Sequence, residues 1–111
     1  MIWFIALSRD GKTLYSCSQD QTIIAWDVAS GEVRYQLSGH QGYIVSLCLN
    51  EDESLLASGA FDNTVRVWDL KTQQQIREIK TASWNMSVSF MGDKLVVAGD
   101  DYCIKVFDAE G

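Results

Sequence analysis

Proline is absent from the 111 residues, histidine occurs once, cysteine three times, and 9 basic side chains face 15 acidic ones. Each shortage removes a class of function. A formal net charge of -6 leaves no dense positive face to displace counterions from phosphate, which argues against a nucleic-acid binder and against an anionic membrane surface. The basic residues are scattered singly between Arg9 and Lys105, so no arginine cluster marks a phosphopeptide reader. One histidine argues against a His-based metal site. Cys17, Cys48 and Cys103 sit in apolar runs without a C-x-x-C pair and read as small, buried, reduced side chains of an intracellular protein, cytoplasm and nucleus not distinguished. No apolar run approaches the about 18 residues that span a bilayer. The opening stretch MIWFIAL lacks a basic lead-in and gives way to Ser8, Arg9 and Asp10, so it reads as a strand and not as a signal peptide. Nothing in the composition calls for a cofactor.

What the sequence has is repetition. Asp20-Gln-Thr-Ile-Ile-Ala-Trp26-Asp27 returns as Asp62-Asn-Thr-Val-Arg-Val-Trp68-Asp69 and as Asp101-Tyr-Cys-Ile-Lys-Val-Phe107-Asp108, at steps of 42 and 39 residues. Upstream, Ile2, Ile5 and Leu7 correspond to Ile44, Leu47 and Leu49, with Val88 and Phe90 answering in the third copy.

Each copy divides into short β-type segments, and no helical period is sustained. The first segment is nearly continuous apolar sequence (residues 2–7 and 43–49), which calls for cover on both faces. Turns follow at 9–12, 50–53 and 91–94, where Gly, Asp and Asn supply unusual backbone angles. The second segments (14–17, 55–59, 95–99) are rich in small residues, the third (22–26, 64–68, 103–107) alternate, and the fourth (32–37, 74–79) are the most polar. That gradient predicts a radial sheet with its first strand innermost. Four antiparallel strands repeated about every 40 residues form the blades of a β-propeller, each of which buries its faces only against neighbours. The division expected is blade 1 over 1–38, blade 2 over 39–80 and a partial blade 3 over 81–111, which stops before its outer strand. The fold class is therefore all-β, a propeller segment of about three blades.

The Trp26-Asp27 and Trp68-Asp69 dipeptides, Gly39-His40 and the Asp six residues before each tryptophan resemble the WD-repeat β-propeller family over essentially the whole chain. The resemblance implies a scaffold on which other proteins assemble. It also implies a buried polar chain in the middle unit, from His40 to Asp62, with the Ser58 hydroxyl and the Trp68 indole completing it. The first unit keeps Ser16, Asp20 and Trp26 without its own Gly-His; the third has Phe107, which carries no N–H, and Thr81 near the histidine position. Where the family often has proline in the first turn, Arg9 and Glu51 stand instead, which predicts a looser hairpin. Three units leave two flanks bare. The expectation is a piece of a longer propeller or, failing that, copies that complete a ring.

Ser58, Asp62 and His40 have the residue types of a hydrolytic triad, yet a serine inside a strand and capped by an indole has neither exposure nor oxyanion donors. They read as structure, with no catalytic or metal role. Partner contacts in the family concentrate on the rim of the first strands and on the residue before the turn Asp. Carried over, these positions are Gln41, Tyr43 and Trp84, with Met1, and Gln19, Phe61 and Asp100. Exposed aromatics are good anchors, since they bury much area with few rotatable bonds; the bland alternative is that Tyr43 and Trp84 cover the core ends. Trp3 reads as core or channel-facing. Arg66 and Lys105 read as solvated heads on stems that cover apolar surface, and the acidic turn 51–53 as a solvated loop, weakly a site for a basic segment. The partners expected are proteins or peptides, with no nucleic acid and no membrane. The second hypothesis is a purely structural part that packs only with sister blades or copies of itself.

Overall fold

The structure is a computed structural model that describes residues 2–18, 21–81, 84–100 and 103–108. Among these residues all regular structure is β: β1 (Ile2–Leu7), β2 (Thr13–Ser18), β3 (Thr22–Asp27), β4 (Val33–Ser38), β5 (Ile44–Leu49), β6 (Leu55–Ala60), β7 (Thr64–Asp69), β8 (Gln74–Lys80), β9 (Asn85–Met91), β10 (Lys94–Gly99) and β11 (Ile104–Asp108). They form three antiparallel meanders, β1-β2-β3-β4, β5-β6-β7-β8 and β9-β10-β11, the last one strand short. This is an open stretch of β-propeller.

Two cores hold the stack together. Between the first and second sheets lie Tyr15, Cys17, Ile23, Ala25 and Leu37 against Ile44, Leu47, Leu56, Ala60 and Trp68. Between the second and third lie Ala57, Val65, Val67 and Ile79 against Val88, Leu95 and Val97. Strand alternation sends successive side chains to opposite faces, so the second sheet feeds both cores. Each fully buried Leu, Ile or Val there contributes about 1.5–3 kcal/mol. Polar ties cross the same junctions. The Val88 N–H donates to Ser46 Oγ at 3.1 Å, and buried Asn85 donates to the Ala60 and Thr64 carbonyls at 3.3 and 2.9 Å.

The repeat extends to backbone angles. Gly11, Glu53 and Gly92 take φ of 72, 61 and 64°, Gln21 and Asn63 take 72 and 64°, and Gly31 and Gln73 take 74 and 62°. Each set occupies matching positions of successive units, so the turn geometry is kept even where glycine is not.

Several expectations need correction. The most enclosed strand is β6, buried at every position, while the first strand of the first sheet leaves Phe4, Ile5 and Leu7 exposed. Cover depends on neighbours: the first sheet has one on a single side, and the second has two. Cys17 is buried as expected, but Cys48 is half-buried and Cys103 exposed, since the third sheet also has a bare flank. All three are free thiols. Arg66 is no solvated head. It is buried, ion-paired through Nη2 to Glu78 at 2.8 Å, and its Nη1 donates to Gln75 at 2.7 Å. Glu78 lies directly opposite on β8, so the neighbouring strand supplies the partner that lets a guanidinium leave water. The turns without proline are clamped by side chains. Asp10 Oδ1 accepts from Lys12 N–H and Ser8 Oγ, and Asn50 Oδ1 accepts from Leu55 N–H. The expectations for Met1 and for the Trp3 side chain lie outside what is described.

Candidate protein-interaction site

The loop 39–43 joins β4 to β5, and the turn 61–63 joins β6 to β7, at the same end of the second sheet. A buried chain of hydrogen bonds ties them. The Trp68 indole Nε1 donates to Ser58 Oγ at 3.0 Å, and Ser58 Oγ lies 2.6 Å from His40 Nε2. His40 Nδ1 in turn lies 2.9 Å from Asp62 Oδ2. One proton arrangement satisfies every member: indole to serine, serine to Nε2, and Nδ1–H to the carboxylate. It requires neutral His40. Burial drives the His40 pKa below its usual value, opposed by the hydrogen bond and charge of Asp62. For Asp62 burial opposes ionisation, but hydrogen bonds from His40, Thr64 and the Gln41 N–H outweigh it and hold the carboxyl well below the usual range.

The connectivity is that of a Ser-His-Asp triad, but its accessibility is not. Ser58 is 0% exposed, its oxygen accepts the indole N–H, and no route leads a substrate to Oγ. The arrangement can fix a loop; it cannot attack a bond. No group of three or more metal-ligating side chains occurs among the described residues.

The fixed loop carries aromatics. The Gln41 N–H donates to Asp62 Oδ2 at 2.8 Å, and the Phe61 N–H donates to the Tyr43 carbonyl at 2.9 Å. Tyr43 is 44% exposed and Trp84 49%. Phe61, half-buried, stacks on Trp84 of the third sheet with centroids 4.4 Å apart and planes 20° apart. The Asp100 N–H donates to the Trp84 carbonyl at 3.1 Å, the same closure one unit on. Beside them Gln41, Asn63, Arg66 and Lys80 help line a polar cleft of about 350 Å³.

The structure thus brings Gln41, Tyr43, Phe61, Trp84 and Asp100 to one narrow face. In the first sheet Trp26 Nε1 donates to Ser16 Oγ at 2.8 Å, without a histidine. Asp20 and Gln19 lie outside the described residues. Sequence reasoning missed Thr64, whose hydroxyl donates to Asp62 Oδ1 at 2.6 Å, and Asn85. A lone Asn within an apolar first strand was the available signal for the latter, because a buried amide must find partners.

Three stacked antiparallel sheets with this polar chain define a β-propeller segment of the WD-repeat type. The profile of the WD domain, G-beta repeat family (WD40) matches residues 1–27 and 31–69, and the chain belongs to that family. Eukaryotic translation initiation factor 3 subunit I of Neurospora crassa is 37% identical over 94 residues, covering 83% of this chain and 27% of that protein. The Periodic tryptophan protein 2 homolog of Schizosaccharomyces pombe is 35% identical over 108 residues, 96% of this chain and 12% of its own length. The crystal structure of the Myceliophteria thermophila Cps50 (Swd1) β-propeller domain superposes with a TM-score of 0.90 at 23% identity, covering 96% of this chain and 34% of that one. The chain therefore spans about a quarter or less of these curated relatives.

Proposed function

We propose that this chain is a non-catalytic protein-interaction scaffold that presents the face bearing Tyr43, Phe61 and Trp84, with Gln41 and Asp100 at its edge, to a protein or peptide partner. The Phe61–Trp84 stack carries the reading: two large rings from neighbouring sheets held in fixed geometry, one of them half exposed to solvent. The buried His40 chain anchors the loop that presents Tyr43, so little ordering entropy is lost on binding. The blades divide as 1–38, 39–80 and 81–111, and the chain acts inside the cell as part of a multiprotein assembly; the printed name of the initiation-factor relative calls that protein a subunit. Partners are proteins and neither nucleic acid nor membrane, since the charge balance is acidic; no helix among the described residues is long and apolar enough to cross a membrane.

The test is alanine substitution at Tyr43, Phe61 and Trp84. Partner capture falls while the urea midpoint holds; unchanged capture by the triple variant overturns the reading. A second reading, a structural part that packs only with sister blades or copies of itself, is favoured by the bare flanks. Ile5 and Leu7 on one side and Ile104 and Val106 on the other are more than half exposed. Light scattering on the isolated chain tests the flanks: a soluble monomer with a cooperative melt refutes the need for cover.

A further inference from the structure

One buried side chain joins the turn between β6 and β7 to Trp84. Asn85 is the first residue of β9 and 1% exposed. Its Nδ2 donates to the Ala60 carbonyl at 3.3 Å and to the Thr64 carbonyl at 2.9 Å, and its Oδ1 accepts from the Thr81 hydroxyl at 3.0 Å. Only this orientation of the amide meets two acceptors and a donor. Ala60 precedes Phe61 and Asn85 follows Trp84, so the clasp lies one residue from each ring of the stack. The Thr81 N–H takes the Asn63 carbonyl at 2.8 Å, and three carbonyls around Phe61 are thereby held by the segment that leads into β9.

The first junction does without such a clasp. There Ile44, also 1% exposed, stands in the position of Asn85, and Cys17 in that of Gly59. A Cβ on Gly59 would stand 3.3 Å from the Asn85 Cβ, so the second junction gives up one side chain to seat the amide. Burying an amide costs desolvation that an isoleucine does not incur, and Ile44 shows that apolar closure suffices to hold two sheets. The rings differ in step: Phe61 and Trp84 occupy the positions that Gln19 and Tyr43 occupy at the first junction. The polar clasp accompanies the junction where two rings are aligned.

We propose that Asn85 is a positioning residue for the aromatic face: its amide fixes the turn 60–64 against Trp84 in the placement at which Phe61 stacks on the indole. This rests on the reading of that face as the partner site and adds a condition to it. The face is composite, with Phe61 from the second sheet and Trp84 from the segment entering the third, and a partner meets a ready-made pair only where the third sheet is docked. Apolar packing across the junction is non-directional and lets the turn slide against the strand end; hydrogen bonds of fixed geometry do not.

The test reads the stack itself and needs no partner. In the chain with isotope-labelled phenylalanine rings, the Trp84 indole displaces the Phe61 ring proton shifts, and Trp84→Ala sets their value without it. Asn85→Leu keeps the approximate shape of the amide and removes its hydrogen bonds. Thr81→Val, on a half-buried residue, takes away the donor to Oδ1 and spares the Thr81 N–H. Ser46→Ala is the control, since it removes a different polar tie of the same junction, the acceptor of the Val88 N–H. The expected result is that Asn85→Leu loses more than half of the Phe61 displacement and Thr81→Val a smaller part, while Ser46→Ala keeps it despite a lower urea midpoint. Retention of more than half by Asn85→Leu, or an equal loss in Ser46→Ala, overturns the proposal. Should Asn85→Leu not fold, Thr81→Val decides, and an unchanged Phe61 shift there overturns it. Partner capture that ignores Tyr43, Phe61 and Trp84 would sink the functional reading and leave the positioning of the pair standing, so the two fail separately.

Discussion

Ser58→Ala tests the buried chain most sharply, because one oxygen serves two neighbours. Its loss strands the Trp68 indole donor, 3.0 Å away, and the His40 Nε2 acceptor, 2.6 Å away, at a site where Ser58 is 0% exposed. A stranded buried polar group costs about 1–3 kcal/mol, and removing a desolvated hydroxyl returns part of that, so the net loss is about 2–4 kcal/mol. The molecule contains its own control. Ser16 also accepts an indole, from Trp26, but Trp26 is only half-buried and no described histidine leans on Ser16. Water can satisfy that indole, so Ser16→Ala costs less than about 1 kcal/mol. Urea unfolding followed by tryptophan fluorescence reads both; with slopes of about 1–3 kcal/mol per M, the two midpoints separate by about 1 M. Equal losses, or a Ser58→Ala loss below about 0.5 kcal/mol, refute the claim that the chain is a satisfied and dry network.

His40, the only histidine, titrates below its ordinary pKa of 6.5, since burial disfavours the cation. The folded state then binds fewer protons than the unfolded one below that pH, so stability present at neutral pH is lost as pH falls through and below about 6.5; carbon-13 shifts of the ring and urea midpoints from pH 8 to 5 check both. Asp62 adds a second loss in the same direction below about pH 4, because its carboxyl is held ionised in the fold. Gly11→Ala costs about 1 kcal/mol at φ 72°, whereas Glu53→Gly at the matching turn is neutral within about 0.5 kcal/mol: relieved strain offsets added unfolded-state entropy and the lost acceptor for Arg9. Gly42→Ala destabilises by about 1–3 kcal/mol, because a Cβ there would meet the Asp62 amide at 2.7 Å. Thermal melts of the three variants rank these effects.

Legibility followed a physical line. The repeat showed which positions share a role, and those roles are local: Trp68 lies opposite Leu56, and Ser58 two pairs along on the same face, wherever the sheet forms. Cover is not local. Ile5 and Leu47 correspond in sequence, yet one is exposed and the other buried, because only the second faces a neighbouring sheet. The same blindness hid the exposure of Cys103. Arg66 was misread for another reason: a charged residue in an alternating strand resembles a solvated one until the register places Glu78 across from it. Asn85 needed the packing of two sheets before its carbonyl partners existed.

In the third sheet the indole and its serine acceptor are lost together. The counterpart of Trp68 is Phe107, and the counterpart of Ser58 is Val97, with Leu95 opposite Phe107 and Lys105 opposite Val97. Replacing the indole alone would strand a serine, and replacing the serine alone would strand an indole; the two replacements together strand nothing, which is why they co-occur in one unit. A double-mutant cycle reverses the step. Val97→Ser alone buries an unpartnered hydroxyl at a 2% exposed position and costs about 2–3 kcal/mol, and Phe107→Trp alone adds an N–H with no acceptor. In the double variant the indole and hydroxyl can meet as they do at Ser58, so the combined loss falls short of the sum by about 1 kcal/mol in urea unfolding. Additivity within about 0.3 kcal/mol would mean that the matching positions do not share one geometry, and the equivalence of the blades would fail with it.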